Sequence, residues 1–193
     1  MASSQHVRWR LGSITLLTVL ALSGCGSHAR SAAPSPRATA TALAGSPAPL
    51  AALHRQANLL EGGGLPAFHA QLAALRGYPV VVNKWAHWCG PCQSEFPVFQ
   101  EVGVTLGRRV AFLGLDGNDQ TAGARAFLRQ FPVSYPSYED PHSAIANAIR
   151  AATYFPQTVF FSATGRLLYD HIGPYESASA LERDIHQYLG VAA

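Results

Sequence analysis

Trp88-Cys89-Gly90-Pro91-Cys92 sets two cysteines two residues apart, close enough to form and reopen a small disulfide. Upstream, Val80-Val81-Val82-Asn83-Lys84-Trp85 has the apolar, β-branched composition of a buried strand. Downstream, Gln93-Ser94-Glu95-Phe96-Pro97-Val98-Phe99-Gln100-Glu101-Val102 has helical spacing. The order strand, cysteine pair, helix puts the first cysteine at a helix N-terminus. Unpaired backbone N–H groups and the helix dipole there favour a thiolate. The physical reading is a redox dithiol.

A cysteine pair can also be half of a zinc site, but zinc takes four ligands, from a second such pair or from closely spaced histidines. The one further cysteine is Cys25, and none of the 8 histidines forms an H-x3-H pair. The expectation is no metal and no organic cofactor. Charge excludes another class. Lys+Arg 14 against Asp+Glu 11 is a small excess, and loss of Arg8 and Arg10 with a leader would bring it to 12 against 11. No nucleic-acid partner follows from such a balance. Lys84 is the only lysine.

Arg8 and Arg10 precede an apolar run from Leu11 to Leu22 that is short for a membrane span. It ends in Leu22-Ser23-Gly24-Cys25, which resembles the lipobox of bacterial lipoproteins. The resemblance implies a signal peptide over 1–24, cleavage before Cys25 and a diacylglyceryl thioether on its sulfur. An ordinary secretory signal and an uncleaved anchor are the alternatives. All three put the remainder outside the cytoplasm, and the lipid version attaches it to the cell membrane. Residues 25–49, rich in Ala, Ser, Pro and Thr, are expected to form a disordered tether to a folded domain over 50–193.

Within that domain the spacing predicts helices over 50–60, 65–75, 90–106, 119–130, 142–150 and 177–189. Strands are expected over 79–85, 110–115, 135–138, 157–161 and 167–171, the last two joined by a hairpin at Thr164-Gly165-Arg166. Pro97 should kink its helix. Alternating helices and strands, then a hairpin, then a helix, describe an α/β fold with a mixed central sheet.

Two stretches carry a family resemblance, 82–97 around the cysteine pair and Tyr154-Phe155-Pro156-Gln157-Thr158. Over about residues 60–190 the chain resembles the thioredoxin superfamily, and within it the TlpA/ResA/CcmG-like extracytoplasmic thiol–disulfide oxidoreductases. The resemblance implies that Cys89 is the nucleophile and Cys92 the resolving thiol. Gly90-Pro91 matches the dipeptide of thioredoxin, a hint of a reducing couple. Glu95 matches a glutamate that moves the proton of the buried resolving thiol. Its alternative is an exposed helix residue. Asn83 stands where cytoplasmic thioredoxins carry a buried Asp. Pro156 matches the cis-proline facing the cysteine pair, and Phe155 the residue whose backbone meets a substrate peptide. Many relatives have a smaller residue at that position. Trp88 is a packing residue that also shields the disulfide. For His87, two residues before Cys89, a place beside the sulfur and a solvated loop are both open.

The implied activity is disulfide exchange with cysteines of exported proteins, apocytochrome c among them, aided by a membrane or extracytoplasmic redox partner. Oxidation in general disulfide formation is the rival direction. A peroxidase of the same fold would carry Thr three residues before the attacking cysteine, where this chain has Ala86. A non-catalytic binding module would not need both cysteines.

Overall fold

The computed structural model describes residues 1, 2 and 34–192. Cys25, residues 3–24 of the expected leader and residues 25–33 of the expected tether lie outside the described residues. The helices are α1 (Pro36–Leu43), α2 (Ala48–His54), α3 (Gly64–Ala74), α4 (Gly90–Leu106), α5 (Thr121–Gln130), α6 (Ala144–Ala148) and α7 (Ala178–Leu189). The strands are β1 (Leu60–Glu61), β2 (Val80–Trp85), β3 (Ala111–Gly117), β4 (Ser137–Asp140), β5 (Gln157–Phe161) and β6 (Leu167–Ile172). They form one sheet in the order β1-β4-β3-β2-β5-β6. β1, β4, β3 and β2 run parallel, whereas β5 is antiparallel to β2 and to β6. This is the mixed sheet of a thioredoxin-like α/β fold.

Period-2 alternation in β2 divides the core. Val81 and Trp85 face α4, α5 and α7, where Phe96, Phe99, Phe127, Leu181 and Ile185 are buried. Val80 and Val82 face the other side, against Leu53 of α2, Phe68 of α3 and Ile145 of α6. Asn83 and Lys84 follow the same alternation, so one polar side chain goes to each face. Trp85 anchors the first face. Its ring stacks on Phe127 at 4.8 Å and meets Phe96 edge-on at 5.2 Å. Its indole N–H donates to Ser137 Oγ at 3.1 Å. Gly114 makes room for that bond, because a Cβ there would come within 2.9 Å of the indole nitrogen.

Residues 36–43 correct the expectation of a disordered tether. Ser35 caps α1 by accepting from the Ala38 N–H at 3.3 Å, and Pro36 occupies the first turn. Leu43 is buried, and Gln100 of α4 donates to Thr39 Oγ1 at 3.4 Å. Ala-rich composition is as compatible with a helix as with a tether, and packing decides. Smaller differences have local causes. The fourth strand starts at Ser137 rather than Tyr135, after Pro136, which has no N–H to give a ladder. The sixth helix is shorter than expected because Ser143 takes a left-handed φ of 57° immediately before it. α4 runs unbroken through Pro97. Among the described residues, no helix is long and apolar enough to cross a membrane.

Candidate active site

The end of β2 delivers the chain to the start of α4, and Cys89 is the N-cap of that helix. Its Sγ accepts the Cys92 N–H at 3.1 Å, the contact that would hold a thiolate once the disulfide is open. Cys89 and Cys92 are joined in a disulfide, with Cα atoms 5.3 Å apart. Cys89 keeps 4% exposure and Cys92 none, so a partner reaches the pair only through Cys89. Gly90 and Pro91 are the first two residues of α4 and fit its N-terminus, where a missing N–H costs nothing.

Glu95 lies three residues beyond Cys92 on α4 and has 0% exposure. Asn83 Nδ2 donates to one carboxyl oxygen at 2.7 Å, and the Tyr175 N–H donates to the other at 3.1 Å. Burial pushes the Glu95 carboxyl up to about 8, with the two donors opposing that rise. The other end of the Asn83 amide, Oδ1, is buried without a hydrogen-bond partner among the described residues. A half-turn of that amide exchanges donor for acceptor. Asn83 can therefore serve both protonation states of Glu95, giving an N–H to the carboxylate or taking the O–H of the acid.

The Phe155–Pro156 bond is cis. The Phe155 ring lies 4.9 Å from Trp88, which is 53% exposed and donates its indole N–H to the Asn118 carbonyl at 3.2 Å. Tyr154, the residue before Phe155, is 50% exposed. His87 is not a free solvated loop side chain. Its ring pairs with Asp119, whose second oxygen accepts the His87 backbone N–H at 2.6 Å. Burial alone would raise the Asp119 carboxyl, but the His87, Asp116 and Gln120 donors hold it below the usual range. Burial pushes the Asp116 carboxyl behind it up to about 9, helped by the neighbouring Asp119, Glu139 and Asp140 charges. The loop before α5 is thereby clamped to the loop before Cys89.

Lys84 plays a part that its sequence position did not suggest. Its side chain has 0% exposure, and Nζ donates to the carbonyls of Ala151, Ala152 and Tyr154 at 2.6, 3.1 and 3.1 Å. The ammonium also sits 3.8 Å from the centroid of the Phe155 ring. Burial lowers its pKa to about 8, partly offset by the Asp140 charge. A sole lysine inside an apolar strand was the available signal. Among the described residues, no group of three or more His, Cys, Asp or Glu side chains is arranged to hold a metal.

A thioredoxin-like sheet, a cysteine pair at the start of α4 and a cis-proline before β5 define a thioredoxin-fold protein. The chain belongs to the AhpC/TSA family, whose model matches residues 52–169. It is 33% identical over 101 residues to the thiol:disulfide interchange protein DsbE homolog of Paracoccus denitrificans, covering 49% of this chain and 50% of that one. It is 31% identical over 112 residues to the thiol:disulfide interchange protein CycY of Rhizobium leguminosarum, covering 57% and 58%. The chain thus spans little more than half the length of these relatives. A thiol:disulfide interchange protein of the thioredoxin family from Chlorobium tepidum superposes with a TM-score of 0.53. That match has 28% identity and covers 61% of this chain and 84% of the other.

Proposed function

We propose that this protein is a thiol–disulfide oxidoreductase that exchanges the Cys89–Cys92 disulfide with cysteines of exported proteins. The observation that carries the reading is the placement of Cys89. It caps α4, is the only member of the pair with exposed surface, and is bonded to a fully buried Cys92. The interchange names of the DsbE-type and CycY relatives support the same reaction class.

In the reducing direction, the Cys89 thiolate attacks one sulfur of a partner disulfide and releases the other as a thiolate. Cys92 then gives up its proton and attacks Sγ of Cys89, freeing the second partner sulfur. Two electrons pass to the partner and the Cys89–Cys92 bond closes. Glu95 is the base for the Cys92 proton. A carboxyl at about 8 is close to an ordinary thiol, so the transfer runs in either direction at little cost. Trp88, Phe155 and Pro156 form the surface on which the partner segment lies beside Cys89.

The direction we favour is reduction, with apocytochrome c as a partner in cytochrome c maturation. Gly90-Pro91, the dipeptide of thioredoxin, supports the reducing direction. The reduction potential of the couple tests this. A value near about −270 mV is expected, and one near about −120 mV would assign the protein to disulfide formation instead.

Cys25 is proposed as a lipid attachment site that holds the domain at the outer face of the cell membrane, with 1–24 as its signal peptide. Cys25→Ala is expected to move the protein from the membrane pellet to the soluble extracytoplasmic fraction. Continued sedimentation of that variant with membranes would point to an uncleaved apolar anchor.

A further inference from the structure

A fully buried lysine needs an explanation, because removing an ammonium from water is costly unless every proton is matched. At Lys84 each of the three protons has its own carbonyl, on Ala151, Ala152 and Tyr154. Among the described residues, the ion pairs are His87–Asp119 and His171–Asp184, and neither involves Lys84. The charge is spent on one loop. That loop is the run of chain entering the cis-proline, and its last residue before the proline, Phe155, lies with its ring against the same ammonium. Gly117, at the end of β3, leaves space for the pair. A Cβ there would come within 3.1 Å of both Lys84 Cε and Phe155 Cζ.

We propose that Lys84 is a positioning residue for partner selection, fixing the loop 151–155 and the Phe155 ring so that an extended polypeptide docks beside Cys89. Lys84 touches neither sulfur nor partner. It acts through Phe155, which in turn packs against the exposed Trp88. Through Phe155 the cation fixes the ring that packs on Trp88, the residue next to Cys89 in the chain. The class of partner it favours is an unfolded, cysteine-bearing segment with an apolar side chain beside the cysteine, over a small disulfide that needs no docking surface. The inference rests on the exchange activity proposed above.

The test compares insulin, a polypeptide disulfide, with 2-hydroxyethyl disulfide, each reduced by the protein under recycling with dithiothreitol. In Lys84→Met the ratio of kcat/KM for insulin to that for the small disulfide is expected to fall about tenfold, with the change in KM for insulin. Gly117→Ala keeps the charge and crowds the stack, and a fall of about threefold is expected there. A folded Lys84→Met protein with an unchanged ratio would overturn the proposal. If that variant does not fold, an unchanged ratio in Gly117→Ala overturns it instead. An equal loss on both substrates would also overturn it, since Lys84 would then govern the dithiol rather than docking. Wild-type protein inert toward both disulfides would instead refute the exchange reading. Wild type active on the small disulfide alone would refute only the docking surface.

Discussion

Cys89→Ser is expected to abolish insulin reduction, by at least about a thousandfold, while Cys92→Ser is expected to stop the reaction halfway. The two variants are well matched in structure. Each loses the same disulfide, whose short loop contributes on the order of 2 kcal/mol in the chain-entropy account. Serine at the N-cap of α4 still offers an oxygen to the Cys92 N–H, and serine is a preferred cap, so the helix start survives. A lost activity in Cys89→Ser therefore reports chemistry and not unfolding. In Cys92→Ser the exposed sulfur remains and can attack, but nothing buried beneath it can release the partner. A mixed disulfide should accumulate, visible as a mass adduct on Cys89 that dithiothreitol removes. Turnover by Cys89→Ser equal to wild type would dismiss that sulfur as the nucleophile. Failure of Cys92→Ser to hold any adduct from an extracytoplasmic fraction would dismiss resolution by Cys92.

Some of this arrangement was legible in the residues and some was not, for reasons of range. α4 runs from Gly90 to Leu106, as its spacing predicts, because both ends carry local signals: the Cys89 cap before it, Pro91 in its first turn and Gly107 after it. β5 likewise matches its predicted span, since five buried residues between Pro156 and the turn at Gly165 leave little freedom. The two-residue β1 is too short to show any period. α1 has little apolar pattern of its own, and its order comes from packing on α4, some 60 residues later. Long range also hid the supports of the site. Asp119 meets His87 across 32 residues, and the carbonyls that hold Lys84 lie 67 to 70 residues downstream. Sequence spacing identifies the dithiol because its chemistry needs neighbours along the chain. The side chains that shape the surroundings are neighbours only in the fold.

Glu95→Gln is the variant in which proton supply and stability separate. Gln is nearly the same shape, and the network can be rewritten around it. Its oxygen accepts from the Tyr175 N–H and its amide donates to Asn83 Oδ1 once the Asn83 amide turns over. The fold should persist while the base is lost. The expected result is a closing step slower by about a hundredfold at pH 7, with the rise in rate through about pH 8 gone, measured by stopped-flow Trp fluorescence across pH 5 to 9. Stability should move the opposite way, and the sign follows from linkage. The folded carboxyl titrates at about 8 and the unfolded one near 4.5, so between those values the folded protein binds the extra proton. Wild-type stability must then fall as pH rises through that window, by up to about 1.4 kcal/mol per pH unit, and is fully restored below it. Glu95→Gln removes this slope, so the urea midpoints of the two oxidised proteins should converge near pH 4 and separate by pH 8, with the variant higher. A variant that keeps the wild-type rate profile would remove Glu95 from proton transfer. Parallel midpoints at both pH values would mean that Glu95 is charged throughout, and its burial would then need a counter-ion that the site does not offer.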